Sequence, residues 1–113
     1  MSDCLFCKFV NKEISTNIIA ENETVLAFND INPQAPVHVL IIPKEHIPTT
    51  LDLNENNYQV LSEMGKMANE ISKDLELQGG YRWVVNTNKY GGQAVYHIHL
   101  HLLGGRQMSW PPG

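Results

Sequence analysis

The segment Tyr96-His97-Ile98-His99-Leu100-His101-Leu102-Leu103 constrains this chain more than any other. Polar and apolar residues alternate in it, which is the pattern of a half-buried β-strand. In such a strand His97, His99 and His101 share one face, while Ile98, Leu100 and Leu102 turn toward a core. Same-face Cα atoms lie about 6.6 Å apart, close enough for neighbouring imidazoles to act on one ligand. Surface decoration, a metal triad and nucleophilic catalysis all fit the pattern. The preceding Gly91-Gly92-Gln93 turn argues against decoration, because glycine lets backbone N–H groups approach a phosphate closely.

The rest of the chain supplies a scaffold for that strand. Leu5, Phe6, Phe9 and Val10 fall on one side of a short helix over Cys4 to Asn11, with Asp3 as its N-cap. Asn17 to Ala20 and Thr24 to Phe28 read as strands joined by a turn at Glu21-Asn22-Glu23. Asp30 to Pro36 is a loop, and Val37 to Ile42 is a β-branched strand ended by Pro43. Leu61, Met64, Ala68, Ile71 and Leu75 form the apolar stripe of a long helix over Leu53 to Leu77. Asn54 or Asp52 caps its start and Gly79-Gly80 stops it. Tyr81 to Asn86 is a further strand, Lys89 to Gln93 a turn, and the Trp110-Pro111-Pro112-Gly113 tail is neither helix nor inner strand. Hairpin-like connections with one long helix predict an α+β fold on a five-stranded antiparallel sheet, as a single domain over residues 1–113.

Composition narrows the functional classes. A chain of 113 residues supports one compact domain. Its net charge of −4 disfavours a nucleic acid held by bulk positive charge, but not a small anion held by local N–H donors and histidines. No apolar run is long enough to span a membrane. The first residues lack the pattern of a secretory signal, so a cytoplasmic location is expected. Cys4-x-x-Cys7 has no thioredoxin-like βαβ context for a redox dithiol. A zinc site would need two further ligands, and two unmetallated thiols at a helix start remain an equal reading.

Gly92-Gln93-Ala94-Val95-Tyr96-His97-Ile98-His99-Leu100-His101-Leu102-Leu103 resembles the signature of the histidine-triad (HIT) superfamily. Asp30 to His38, Val39 to His46 and the tail Gly104 to Gly113 are similar to the upstream strands and C-terminus of its Hint branch. The resemblance implies a hydrolase of P–N bonds in purine nucleoside monophosphates, with His99 as the nucleophile that forms a nucleotidyl-histidine. It implies His101 as the phosphate-side donor, with His38 and His97 as the orienting shell. Asp30 would accept from the ribose hydroxyls. Ile31, Phe28, Leu40, Leu5, Phe6 and Phe9 would enclose the purine, while Asn86, Gly92, Gln93, Ala94 and Val95 would lie on the phosphate side. Hint proteins usually carry Ser where this chain has Ala94, so assistance to the leaving group is expected to be weaker.

The same resemblance completes a structural zinc site, Cys4, Cys7, His46 and His97, with no metal required for catalysis. It implies a homodimer with one ten-stranded sheet, in which Trp110 reaches the partner's site. Met64, Met67 and edge strand Tyr81 to Asn86 are the expected dimer surface. Two other functions stay open: a dinucleoside polyphosphate hydrolase like the Fhit branch, which the tail fits less well, and a nucleotide-binding regulatory protein with little turnover.

Overall fold

The computed structural model describes residues 3–113. Five antiparallel strands form one sheet in the order β1-β2-β3-β5-β4. They are β1 (Ile18–Glu21), β2 (Val25–Asn29), β3 (Val37–Pro43), β4 (Tyr81–Val84) and β5 (Leu100–Gly104). Three helices accompany them, α1 (Leu5–Val10), α2 (Gln59–Asp74) and α3 (Asn88–Gly91), with a 3-10 turn at Thr50–Asp52. The five-stranded antiparallel α+β fold expected from the sequence is therefore the fold observed.

Alternation sorts the sheet into two cores. Val25, Ala27, Val39, Ile41, Leu100 and Leu102 point toward α2 and pack on Met64, Met67, Ala68 and Ile71. Leu26, Phe28, Leu40 and Ile42 point the other way and pack on Phe6 and Phe9 of α1. The smaller core has an aromatic centre, with Phe28 edge-on to both Phe6 and Phe9 at 5.4 and 5.1 Å between centroids. The α1 face is the face of the histidines, so a six-residue helix covers only part of it and the remainder forms a cleft.

Several local expectations are corrected. The cap of α1 is Cys4, whose Sγ accepts from the Cys7 N–H, rather than Asp3. The long helix begins at Gln59, six residues after the expected Leu53 (59 against 53). Asp52 instead closes a capping box with Thr49 on the 3-10 turn, and Asn54 and Asn57 tie the following turn. Its C-terminal stop is not Gly79-Gly80. Leu77 N–H bonds Ser72 O and Glu76 N–H bonds Lys73 O, a Schellman arrangement with Glu76 at φ 57. Of the apolar stripe, Met64, Ala68 and Ile71 are buried, whereas Leu61 and Leu75 are partly exposed. Met64 and Met67 are consumed by their own sheet, so they offer no spare apolar area. β3 ends at Pro43 as expected, with Pro43 itself still paired to Val25; β4 stops at Val84, and Lys89 to Gln93 holds a helical turn closed by left-handed Gly92 at φ 78.

The largest difference lies at the histidines themselves. The strand expected over Tyr96 to Leu103 is regular only from Leu100. Upstream, Ile98 N–H donates to Ile47 O at 2.7 Å, and His97 Nε2 meets Pro43 O at 2.8 Å. A side chain and a loop have thus taken the partners that a continued ladder with β3 would use. The sidedness survives: Ile98, Leu100 and Leu102 are buried, and the rings of His97 and His99 stand edge-on to Phe6 on the α1 face.

Candidate active site and metal centre

β5 and the segment before it, crossed by α1 and the β2–β3 loop, enclose a cleft of about 210 Å³. Its apolar wall is Leu5, Phe6 and Phe9 of α1, Phe28 and Leu40 of the sheet, and Val95. Asp30, Ile31, Ala94, His99 and His101 complete the part foreseen from sequence. Thr16 and Asn29 also line it. Ile31 is almost wholly exposed at the mouth.

Other expected residues lie elsewhere. Gly92 closes α3 outside the cleft lining. The buried Gln93 side chain binds Pro48 O, Val95 O and the Asn88 N–H, so it ties α3 to the 46–48 loop. Asn86 and Trp110 come together with Arg82, Trp83 and Val84 in a separate recess. His38 and His97 stand behind the cleft, buried.

The hydrogen bonds assign a tautomer to each buried imidazole. His99 Nδ1 faces its neighbour's carbonyl, His97 O, at 2.8 Å. A carbonyl only accepts, so Nδ1 carries the proton and Nε2 keeps a lone pair. Gln34 N–H donates to His38 Nδ1 at 3.0 Å, which leaves the His38 proton on Nε2. That proton is donated to His101 Nδ1 at 2.9 Å. His101 then carries its own proton on Nε2, a buried atom with no partner among the described residues. The cleft therefore presents one imidazole lone pair and one imidazole N–H, on rings 4.9 Å apart.

All of these rings are held neutral at pH 7. Burial pushes His101 down to about 4, aided by the neighbouring His99 and His38, with Asp30 opposing. Burial likewise lowers His99 and His38, against the favourable charge of Asp30 in each case. Asp30 Oδ2 stands 3.4 Å from His38 Nε2. Asp30, His38 and His101 are close enough to chelate, but a cation on His38 Nε2 would compete with Gln34 N–H on Nδ1 and require an imidazolate. The trio is a hydrogen-bond network.

A second cluster lies beside the first. Ligand atoms of Cys4, Cys7, His46 and His97 all fall within 4.8 Å of one another. His97 Nε2–H is donated to Pro43 O, so Nδ1 offers its lone pair to the cluster. That Nδ1 lies 3.4 and 3.5 Å from the two sulfurs and 3.2 Å from His46 Nδ1. Cys7 Sγ stands 3.2 Å from His46 Nδ1. Edges of a zinc tetrahedron with N and S ligands span about 3.3–3.8 Å, so the donor set fits that ion. Burial also drives His97 down to about 4, with Pro43 O opposing and His46 adding to the fall.

A small antiparallel α+β fold with paired imidazoles of opposite polarity over an aromatic slot defines the class of histidine-triad proteins. The chain belongs to the HIT family. Residues 3–110 match the family described as "Scavenger mRNA decapping enzyme C-term binding". A "14 kDa zinc-binding protein" of Zea mays is 47% identical over 114 aligned positions, covering 99% of this chain and 89% of its own. The crystal structure of a HIT family hydrolase from Legionella pneumophila shares 52% identity at a TM-score of 0.96, covering 98% of this chain and 100% of that one. A histidine triad nucleotide-binding protein from Candida albicans is 30% identical at a TM-score of 0.82, over 96% and 83% of the two chains. No helix among the described residues is long and apolar enough to cross a membrane.

Proposed function

We propose that this chain hydrolyses the P–N bond of purine nucleoside phosphoramidates through a nucleotidyl intermediate on His99. The observation that carries the reading is the tautomer pair: a nucleophilic lone pair on His99 Nε2 beside an unpartnered N–H on His101 Nε2. His99 Nε2 attacks the α-phosphorus, and the new P–N bond to the ring forms as the bond to the amine breaks. The amine leaves with the bonding pair and takes up a proton. His101 Nε2–H is placed to stabilise charge on the phosphoryl oxygens. His101 Nδ1 is occupied by the His38 Nε2–H, so the proton taken up by the amine comes from solvent in the open cleft. Water then attacks phosphorus and loses its proton to solvent, the bond to Nε2 breaks with its electron pair returning to the ring, and the nucleoside monophosphate departs.

Asp30 suits the ribose hydroxyls, because a carboxylate accepts two hydrogen bonds. The aromatic slot suits a flat base. The closing test is rapid acid quench of the enzyme with adenosine 5′-phosphoramidate, followed by mass spectrometry. An adenylyl group on the peptide containing His99 is expected. Turnover with no such adduct, or with the adduct on another histidine, would contradict the reading.

Cys4, Cys7, His46 and His97 would hold one structural zinc ion, which would cross-link α1 to the segment leading into β5. The donor distances and the zinc-binding name of the maize relative support this. A two-fold dimer through β4 and α2 belongs to the same proposal. β4 is an edge strand with Tyr81 and Trp83 half exposed, and unpaired strand edges invite a partner. A cytoplasmic location remains the sequence-based expectation.

A further inference from the structure

Arg106 is exposed, lies outside the cleft and follows β5 by two residues (106 against 104). Its Nε and Nη2 both donate to the carbonyl of Gln34, at 3.3 and 3.1 Å. Its Nη1 donates to Gln107 O at 3.1 Å. The neighbouring Gly105, at φ +89, packs so closely on the same loop that a Cβ there would lie 2.9 Å from Pro36 Cβ. Within the loop, Gln34 Nε2 donates to Asn32 O and Asn32 N–H donates to Asp30 Oδ1, at 3.0 and 2.8 Å. The Asp30–Pro36 loop is thus fastened at its far end by the C-terminal segment. Its one contact with the buried imidazoles through Gln34 is the N–H on His38 Nδ1.

We propose that Arg106 is a positioning residue that sets the polarity of His101. By holding Gln34, it keeps a backbone N–H on His38 Nδ1, which confines the His38 proton to Nε2. That proton is donated to His101 Nδ1, which confines the His101 proton to Nε2 at the cleft. Without the Gln34 N–H, the pair has a second arrangement of equal proton count. His38 would carry its proton on Nδ1, and its Nε2 would accept from His101 Nδ1–H. His101 Nε2 would then offer a lone pair to a phosphate oxygen, and attraction would become repulsion. A surface guanidinium therefore biases, through the two peptide groups of Gln34 and two imidazoles, whether the cleft donates to or repels an anion, and Asp30 Oδ2, 3.4 Å from His38 Nε2, biases the His38 proton the same way.

The kinetic arm of the test rests on the proposed phosphoramidase activity; the spectroscopic arm does not. Long-range 1H–15N correlation on His-labelled protein, purified without chelator, reads the tautomers of His38 and His101 directly. Wild type should show both as Nε2–H. Arg106→Met, which keeps the aliphatic stem, should give a mixture at both rings. Its kcat for adenosine 5′-phosphoramidate should fall about 3- to 10-fold, the worth of one neutral hydrogen bond, with a smaller change in KM. Arg106→Lys should restore part of the Nε2–H population and part of kcat, and Gly105→Ala, which disturbs the same fastening, should shift the tautomers in the direction of Arg106→Met. Wild-type tautomers in Arg106→Met would overturn the proposal whatever its melting temperature does, since Arg106 would then be only a structural tie. A tautomer shift with unchanged kcat would overturn it too. If wild type hydrolyses no phosphoramidate, the functional reading fails and the tautomer populations alone decide this one.

Discussion

His97 donates Nε2–H to Pro43 O and accepts the Nδ1–H of His99 on its own carbonyl, so one residue serves the Cys4-Cys7-His46 cluster by its ring and the cleft by its backbone. Two residues on, His99 is left with a free Nε2 lone pair, and His101 is left with an unpartnered Nε2–H. The spacing of the three histidines announced a shared face, but their tautomers depend on Pro43 O, His97 O and Gln34 N–H, which no side-chain pattern encodes. Ala94 lines the cleft without a hydroxyl. Ala94→Ser should therefore raise kcat for substrates with poor amine leaving groups more than for good ones, by about 3- to 10-fold for one added hydrogen bond. A series of phosphoramidates of graded amine pKa measures this. His101 carries a pH signature as well. Its pKa in the fold is about 4 against an ordinary 6.5, because burial, His99 and His38 outweigh Asp30. The unfolded chain binds the extra proton between those values, so folded stability is complete above pH 6.5 and falls as pH drops toward 4. His101→Gln should flatten the stability–pH curve from denaturant melts in that window.

At the scale of elements, the strands were legible because alternation in β2, β3 and β5 matches the two cores. Their ends were less so. The ladder of β5 stops at Leu100 because His97 and Ile98 bond to Pro43 and Ile47, contacts made by distant segments. Helix α2 starts late because Thr49, Asp52, Asn54 and Asn57 build a chain of turns from side-chain bonds, which periodicity does not register. It ends at Asp74, ahead of the glycines downstream, and Glu76 just past its cap lies in the left-handed region at φ 57. Glu76→Gly should thus stabilise the protein by about 0.5–1 kcal/mol, a rise in Tm of roughly 2–6 °C by calorimetry. Helix α1 is too short to hold itself against the sheet by propensity. Its attachments are Phe6, Phe9 and the cysteines. One zinc per chain by elemental analysis is the expected content. Its removal by a strong chelator, or Cys7→Ser, should lower Tm and weaken nucleotide binding together, since Leu5, Phe6 and Phe9 of α1 form a wall of the cleft. A zinc-free preparation with undiminished Tm would contradict the metal reading.

The whole molecule divides labour between the sheet's two faces: α2 closes one with aliphatic packing, and α1 leaves the other partly open for chemistry. Of the residues lining the cleft, Leu5, Phe6, Phe9, Phe28, Leu40 and His101 lie on α1 or on regular strands, where periodicity fixes direction, whereas Asp30, Ile31, Ala94, Val95 and His99 lie outside those elements. Asn86 and Trp110 lie instead in a recess along edge strand β4, a position set by where the tail folds back. Arg82, which donates to Ser109 O at 2.8 Å, holds it there. That recess, with half-exposed Tyr81 and Trp83, is the surface on which a second copy is expected. Sedimentation at micromolar concentration should show a dimer, and Trp83→Glu should shift it to monomer; a wild-type monomer would refute the assembly. The central claim rests on His99 as nucleophile. Steady-state hydrolysis of adenosine 5′-phosphoramidate by wild type and by His99→Ala tests it most directly. The expected result is turnover in wild type and a loss of at least about 1,000-fold in the variant, with adenosine monophosphate still bound. Equal rates in the two proteins, or no turnover in wild type despite binding, would contradict it.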